Sequence, residues 1–131
     1  MKIKIWLDDE RDPKDEKTKE LFRSKGDEVW IKNSIECIEL IDQNRDNIEL
    51  ISFDHDLGIG CGTGMDVVNW IEKEVYTNGL PPFEWRLHSQ NVVGCRNMMA
   101  ALKNCNKIWL ERFGFKPKQR DVCVLKIARF D

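Results

Sequence analysis

Apolar positions along the chain follow two different periods. Five segments show the alternating or continuously apolar pattern of β-strands: residues 2–7, 28–32, 48–53, 83–87 and 122–130. The third of these is the most continuously apolar, as expected of a central strand that is covered on both faces. The pattern therefore predicts five strands, the last of them near the C-terminus.

Helical periodicity fills the intervals between these strands. Three sets of apolar residues recur every three or four positions: Ile35, Ile38 and Ile41; Met65, Val68, Ile71 and Val75; and Cys95, Met98, Leu102, Cys105 and Trp109. Asn33 or Ser34 is a suitable cap for the first set, and Gly114 with Pro117 should end the last, which Asn104 and Asn106 are expected to weaken. Residues 14–25 predict a weakly anchored helix or an ordered loop, because Leu21 and Phe22 are the only large apolar residues of the segment.

Strands that alternate with helices predict a parallel open sheet with right-handed crossovers. We expect one α/β domain over residues 1–131, with strand order 2-1-3-4 and the C-terminal strand at an edge. In such sheets ligands bind outside the carboxyl ends of the strands. Four glycines in residues 58–64 also predict a close backbone approach in the loop after the third strand.

Composition narrows the class of protein. No apolar run reaches the roughly 18 residues of a membrane span, and the N-terminus has only a short apolar run, so we expect a cytoplasmic protein. The net charge of −2 gives no general attraction to nucleic acid, although the C-terminal region contains a local basic cluster: Lys116, Lys118, Arg120, Lys126 and Arg129. The 5 cysteines form no C-x-x-C pair, so reduced thiols are expected rather than a zinc site or disulfides.

Polar residues follow three of the predicted strands. Residues 8–11 (DDER) follow the first strand, residues 54–56 (DHD) the third and residues 88–91 (HSQN) the fourth. The parallel sheet should bring these segments to one edge. Clustered carboxylates need a neutralising cation, and hard oxygen ligands suit magnesium or manganese. Asp8, Asp9 and Asp54 are the predicted ligands, and their oxygens should lie within about 6 Å of one another.

These motifs resemble a known family. The acidic pair after the first strand, Asp54 after the third and Ser89 after the fourth are similar to the conserved positions of response-regulator receiver domains. The closer resemblance, over about residues 1–104, is to the cyclic-phosphate-processing receiver domains. It is carried by residues 7–13 (LDDERDP), 53–58 (FDHDLG), 88–94 (HSQNVVG) and 96–98 (RNM).

The resemblance implies a flavodoxin-like fold and a role in processing cyclic phosphates, in RNA repair or conflict systems. The chain also departs from ordinary receivers. No lysine stands clearly in a fifth strand directly after the last helix, since Lys116 precedes a proline in a turn-like stretch and Lys126 lies in the middle of the last predicted strand.

The first functional hypothesis is therefore a metal-assisted phosphoesterase that acts on a phosphorylated small molecule or a nucleic-acid end. His88 is the first candidate acid or base and His55 the second, with Asp56 beside it. Four further residues are expected to bind phosphate: Arg11, Ser89, Asn91 and Arg96. Because the fourth strand ends at Leu87, we expect His88 to emerge at the carboxyl edge of the sheet rather than in the core.

Two other hypotheses remain open at this point. In the first, the chain is a signalling or nucleotide-sensing receiver, with Asp54 as phosphoacceptor. In the second, it is a non-catalytic module that binds a protein partner of unknown identity. The two histidines favour the enzyme, because an ordinary receiver needs none in its site.

Overall fold

The computed structural model describes residues 2–114 and 117–118. Strands and helices alternate along the chain: β1 (Ile3–Leu7), α1 (Glu16–Phe22), β2 (Val29–Ile31), α2 (Ser34–Gln43), β3 (Ile48–Phe53), α3 (Gly64–Asn78), β4 (Glu84–Leu87) and α4 (Val92–Phe113). The predicted α/β class is confirmed. The predicted strand over residues 122–130 lies outside the described residues, as do Cys123 and most of the basic C-terminal cluster.

The four strands form one parallel sheet in the order β2-β1-β3-β4, as predicted. β1 lies in the interior of the sheet, where Leu7 is in register with Ile31 of β2 and with Phe53 of β3. Phe53 is in turn in register with Leu87 of β4. All four strands therefore end at the same level, which brings the segments that follow them together.

The helices begin where side chains can accept hydrogen bonds from free backbone N–H groups. Asn33 caps α2 through Glu36 N, and Thr63 with Asp66 forms a capping box at α3. α1 is shorter than the predicted segment and ends at Arg23, which adopts a left-handed conformation.

α4 is continuous, so the predicted weakening at its two asparagines is wrong. Asn106 is buried and accepts a hydrogen bond from Trp85 Nε1 at 3.2 Å, whereas Asn104 donates to Glu72 Oε2 at 3.0 Å. Each side chain thus binds a tertiary partner and does not compete for the helix backbone.

The two faces of the sheet are covered differently, because successive side chains of a strand point to opposite faces. Ile5 and Leu7 of β1 belong to the large core, while Trp6 belongs to a second cluster with Phe22 of α1. The weakly apolar helix α1 is therefore anchored mainly by Phe22 on Trp6.

Among the described residues, no helix combines the length and apolar character that crossing a membrane requires.

Candidate metal and phosphate site

The sheet ladder continues for one residue past three strands. Asp8 N donates to Ile31 O at 3.0 Å, Asp54 N to Leu7 O at 2.9 Å, and His88 N to Phe53 O at 2.9 Å. Asp8, Asp54 and His88 are therefore fixed side by side at the carboxyl edge by backbone hydrogen bonds. Their placement follows directly from the parallel register of β1, β3 and β4.

Three carboxylates meet at this edge. One oxygen each of Asp8, Asp9 and Asp54 lies within 4.8 Å of the others, which confirms the predicted proximity. Asp8 and Asp54 are buried, and Asp9 is half-buried. This donor set, made only of carboxylate oxygens, fits a hard divalent cation such as Mg²⁺ or Mn²⁺, and these three residues could hold one.

Asp8 is the most heavily hydrogen-bonded of the three. Its Oδ1 accepts from the backbone N–H groups of Glu10 and Arg11, at 2.9 and 3.0 Å. Its Oδ2 lies 3.0 Å from His88 Nε2 and 3.2 Å from Arg11 Nη1. A carboxylate has about four lone-pair directions, so these contacts use all of them.

His88 follows β4 at the carboxyl edge, as expected, but its side chain is completely buried, so the expectation that it lies outside the core is wrong. The imidazole lies between Trp6, with ring centroids 3.8 Å apart and planes 7° apart, and the edge of Phe22 at 6.1 Å. Its Nδ1 lies 2.8 Å from Ser52 Oγ. Burial lowers the pKa of His88, which favours a neutral ring that donates from Nε2 to Asp8 and accepts from Ser52.

Charge is distributed unequally over the buried carboxylates. Burial and the nearby Asp8 charge raise the pKa of Asp54 to about 7, and Ser89 and Arg11 only partly oppose this. Burial also acts on Asp8, but the hydrogen bond from His88 and those from the backbone leave the pKa of Asp8 below its usual value. Asp8 is thus a fixed anion, whereas Asp54 loses its proton near neutrality.

A cavity of about 310 Å³ opens beside the carboxylates. Its lining consists of Asp9, Glu10, Arg11, Asp54, Asp56, Gly58, Ser89, Gln90 and Asn91. Arg11 is the one cationic side chain in this lining. The predicted residues Arg11, Ser89 and Asn91 therefore lie at a common cavity, where an anionic ligand would meet both the arginine and the carboxylates.

The other histidine, His55, does not line this cavity but contacts Asp56 and Asn91, two residues that do. His55 Nδ1 lies 2.8 Å from Asp56 Oδ1, and Asn91 Nδ2 lies 3.3 Å from His55 Nδ1 and 3.2 Å from Asp56 Oδ2. The imidazole packs on the first turn of α4, where a Cβ at Gly94 would come within 2.5 Å of the ring. The side chain of His55 is 18% exposed, so this ring, unlike that of His88, is in contact with solvent.

Arg96 is not part of the site. It is exposed on α4, does not line the cavity, and forms no ion pair with Asp54 or Asp56 among the residues that the structure describes. Instead, the guanidinium of Arg11 approaches Asp8 Oδ2 at 3.2 Å and Asp54 Oδ2 at 3.5 Å. The sequence favoured Arg96 because it lies about one and a half turns into the predicted helix, but the side chain is exposed and does not line the cavity.

Sequence reasoning missed the residues that support the site from below. Trp30 Nε1 donates to Asp8 O at 2.7 Å, and Trp6 Nε1 donates to Arg11 O at 2.9 Å. The two indoles thus fix the loop that carries the acidic pair. Alternation in β1 and β2 places Trp6 and Trp30 on the same face, but their partners could not be deduced without the fold.

A second cavity, of about 390 Å³, lies at the opposite end of the sheet. Its lining includes Ile48, Phe83 and Glu84, at the amino ends of β3 and β4. It is larger than the carboxyl-edge cavity but contains neither histidine and none of the three clustered carboxylates. The chemistry of the side chains therefore selects the smaller cavity as the candidate site.

No curated protein sequence matches the chain. The crystal structure of a signal receiver domain, described as belonging to a Luxo repressor protein from Vibrio parahaemolyticus, matches with a TM-score of 0.43 and 14% identity, over 87% of this chain and 98% of that one. The family model for the cyclic-phosphate processing receiver domain matches residues 3–104, which include the four described strands, the acid cluster and the cavity lining. The chain therefore belongs to the family of cyclic-phosphate processing receiver domains.

Proposed function

We propose that the protein hydrolyses a cyclic phosphate ester with the help of a divalent cation held by Asp8, Asp9 and Asp54. The observation that carries the proposal is the position of this acid cluster, with its oxygens within 4.8 Å, at a cavity of about 310 Å³ that also contains an arginine. A bound cation would supply charge neutralisation at the phosphoryl oxygens and activation of water. The family match to residues 3–104 supports a cyclic phosphate as the substrate class.

Substrate binding is assigned to three residues of the cavity. Arg11 offers a forked donor set that suits phosphate oxygens. Ser89, whose Oγ accepts from Asn91 N at 3.1 Å, and the Asn91 amide lie on the loop before α4. These groups line the same cavity as Asp9 and Asp54, so a phosphate bound there would lie beside the acid cluster.

Proton transfer is assigned to His55 with Asp56. In the hydrolysis, water adds to phosphorus, one ring P–O bond breaks, and the leaving oxygen takes a proton to give a phosphomonoester. His55 has one nitrogen held by Asp56 and a partly exposed ring, which suits a group that must be reprotonated from solvent. His88 has both ring nitrogens engaged and no solvent contact, so we assign it the orientation of Asp8 instead.

The test is a substrate screen on the purified protein. We expect a phosphomonoester product from 2′,3′-cyclic AMP, a cyclic dinucleotide or an RNA oligonucleotide with a 2′,3′-cyclic end, with Mg²⁺ or Mn²⁺ and not with EDTA. Phosphorus NMR or chromatography would detect it. His55→Ala should lose about 10²–10⁴ in rate, the usual range for a general acid or base. Absence of turnover on every one of these esters would contradict the proposal.

One observation favours a second function. Asp54 lies at the cavity, beside Ser89 and the acidic pair, as a phosphoacceptor would require. If the protein is a signalling receiver, acetyl phosphate with Mg²⁺ should label Asp54 in the wild type and in His55→Ala alike. Stable labelling without turnover of any cyclic phosphate would replace the hydrolase by the receiver.

A further inference from the structure

Arg11 occupies an unusual position for a phosphate-binding residue, because it already binds the carboxylates. Its Nη1 lies 3.2 Å from Asp8 Oδ2 and 3.5 Å from Asp54 Oδ2. These two residues belong to the cluster that could hold a cation. A guanidinium and a divalent cation therefore compete for the same pair of carboxylates.

Asp8 makes this competition unavoidable. All four of its lone-pair directions are used, so it can bind a cation only if one present partner withdraws. Two partners are backbone N–H groups of a tight loop, which Trp6 and Trp30 hold by hydrogen bonds to its carbonyl groups. The third is the fully buried His88. Only the Arg11 side chain, which is 26% exposed, can leave without disturbing the core.

Arg11 also has a place to go. It lines the cavity together with Ser89 and Asn91, and its guanidinium lies over the ring of Phe22, 4.4 Å from the centroid. The aromatic face supports the planar group on one side while its N–H donors remain directed to the site. A rotation of the side chain would exchange the carboxylate oxygens for oxygens of a ligand in the cavity.

We propose that Arg11 is an exchangeable counter-cation, which neutralises Asp8 and Asp54 until a divalent cation displaces it and then binds the phosphate of the substrate. The phosphate-binding half of this assignment rests on the proposed function, whereas the displacement half does not. Cation binding and phosphate binding are thereby linked through one side chain, which cannot serve both the carboxylates and the ligand with the same donors.

The experiment is to measure two affinities of Arg11→Met, a neutral variant of similar length. Because the variant lacks the guanidinium that competes with Mn²⁺ and repels it, Mn²⁺ binding should tighten roughly three- to tenfold, as measured by calorimetry. This is the size expected for the loss of a partly exposed ion pair. The same variant should bind inorganic phosphate, in saturating Mn²⁺, about tenfold more weakly, because a charge-assisted contact is lost. A merely structural arginine would not move these affinities in opposite directions.

Two further variants complete the test. Arg11→Lys keeps the charge and should leave Mn²⁺ affinity within about twofold of wild type while weakening phosphate, since a lysine cannot make the forked contact. Arg96→Met removes an exposed arginine that does not line the cavity and should change neither affinity. If Mn²⁺ binds Arg11→Met as weakly as, or more weakly than, wild type, the claim that the cation displaces Arg11 is wrong, even if the protein is a hydrolase. If Mn²⁺ binding tightens but phosphate affinity is unchanged, Arg11 is only a counter-cation, and the claim that it then binds phosphate is wrong.

Discussion

The His88 imidazole is stacked face to face on the Trp6 indole, with ring centroids 3.8 Å apart and planes 7° apart. The stack lies directly below Asp8, which accepts the hydrogen bond from His88 Nε2 at 3.0 Å. A residue that the sequence offers as a proton donor is thus part of the layer that supports the acid cluster. Its removal should therefore be felt first as a loss of stability.

We expect His88→Ala to lower the free energy of unfolding by about 2–4 kcal/mol, because it opens a buried cavity and leaves Asp8 Oδ2 without a donor. His55→Ala, at a partly exposed ring, should cost about 1 kcal/mol or less. Urea unfolding of both variants at one pH provides the comparison. Wild-type stability in His88→Ala would show that the buried contacts contribute little and would restore a direct chemical role for His88.

Asp9 should control cation affinity without controlling the fold. It is half-buried and belongs to the acid cluster, so Asp9→Asn should weaken Mg²⁺ or Mn²⁺ binding by about tenfold or more, while the melting temperature changes little. Glu10→Gln is the matched control, because Glu10 lines the same cavity outside the cluster. Calorimetry that shows equal affinities for Asp9→Asn and wild type would remove Asp9 from the ligand set.

The raised pKa of Asp54 predicts how stability varies with pH in EDTA. Its pKa rises from 3.8 in the unfolded chain to about 7 in the folded one, so between these values the folded state binds more protons than the unfolded state. The contribution of Asp54 to stability is therefore full below about pH 4 and falls as the pH rises to 7. Asp8, whose pKa is lowered, is already ionised above its unfolded value and adds no slope there.

Unfolding free energies at pH 5 and pH 8 provide the measurement. Wild type should lose more stability over this range than Asp54→Asn, which does not titrate. Addition of Mg²⁺ should stabilise wild type more at pH 8 than at pH 5, because Asp54 is ionised at pH 8 and must lose a proton to bind the cation at pH 5. Equal pH slopes in wild type and Asp54→Asn would show that Asp54 is ionised throughout.

Gly94 is expected to position His55. A Cβ at this residue would lie 2.5 Å from the His55 ring, which must then move away from Asp56 and Asn91. Gly94→Ala should lower turnover strongly and cost about 1–3 kcal/mol of stability, although alanine is otherwise the better helix former. Mn²⁺ affinity should be unchanged. Val93→Ala, at an exposed position of the same helical turn, should change neither turnover nor stability.

The order and type of the described elements could be predicted from the sequence, because they depend on local patterns. Strand alternation, the Asn33 cap and Gly114 are each encoded within a few residues. The acid cluster could be predicted as well, since parallel strands that share a register must bring the residues after β1 and β3 together. The clustering of Asp8, Asp9 and Asp54 could thus be predicted without knowing the conformation of any side chain.

The roles of His88 and the arginines could not be predicted in this way. His88 is buried because Trp6 and Phe22, distant in sequence, cover both sides of its ring. Of the two predicted arginines, Arg11 lies at the cavity, where Phe22 supports its guanidinium from α1, whereas Arg96 is exposed on α4. Backbone register follows from local patterns, whereas the direction and partners of a side chain depend on residues that only the packed tertiary structure brings together.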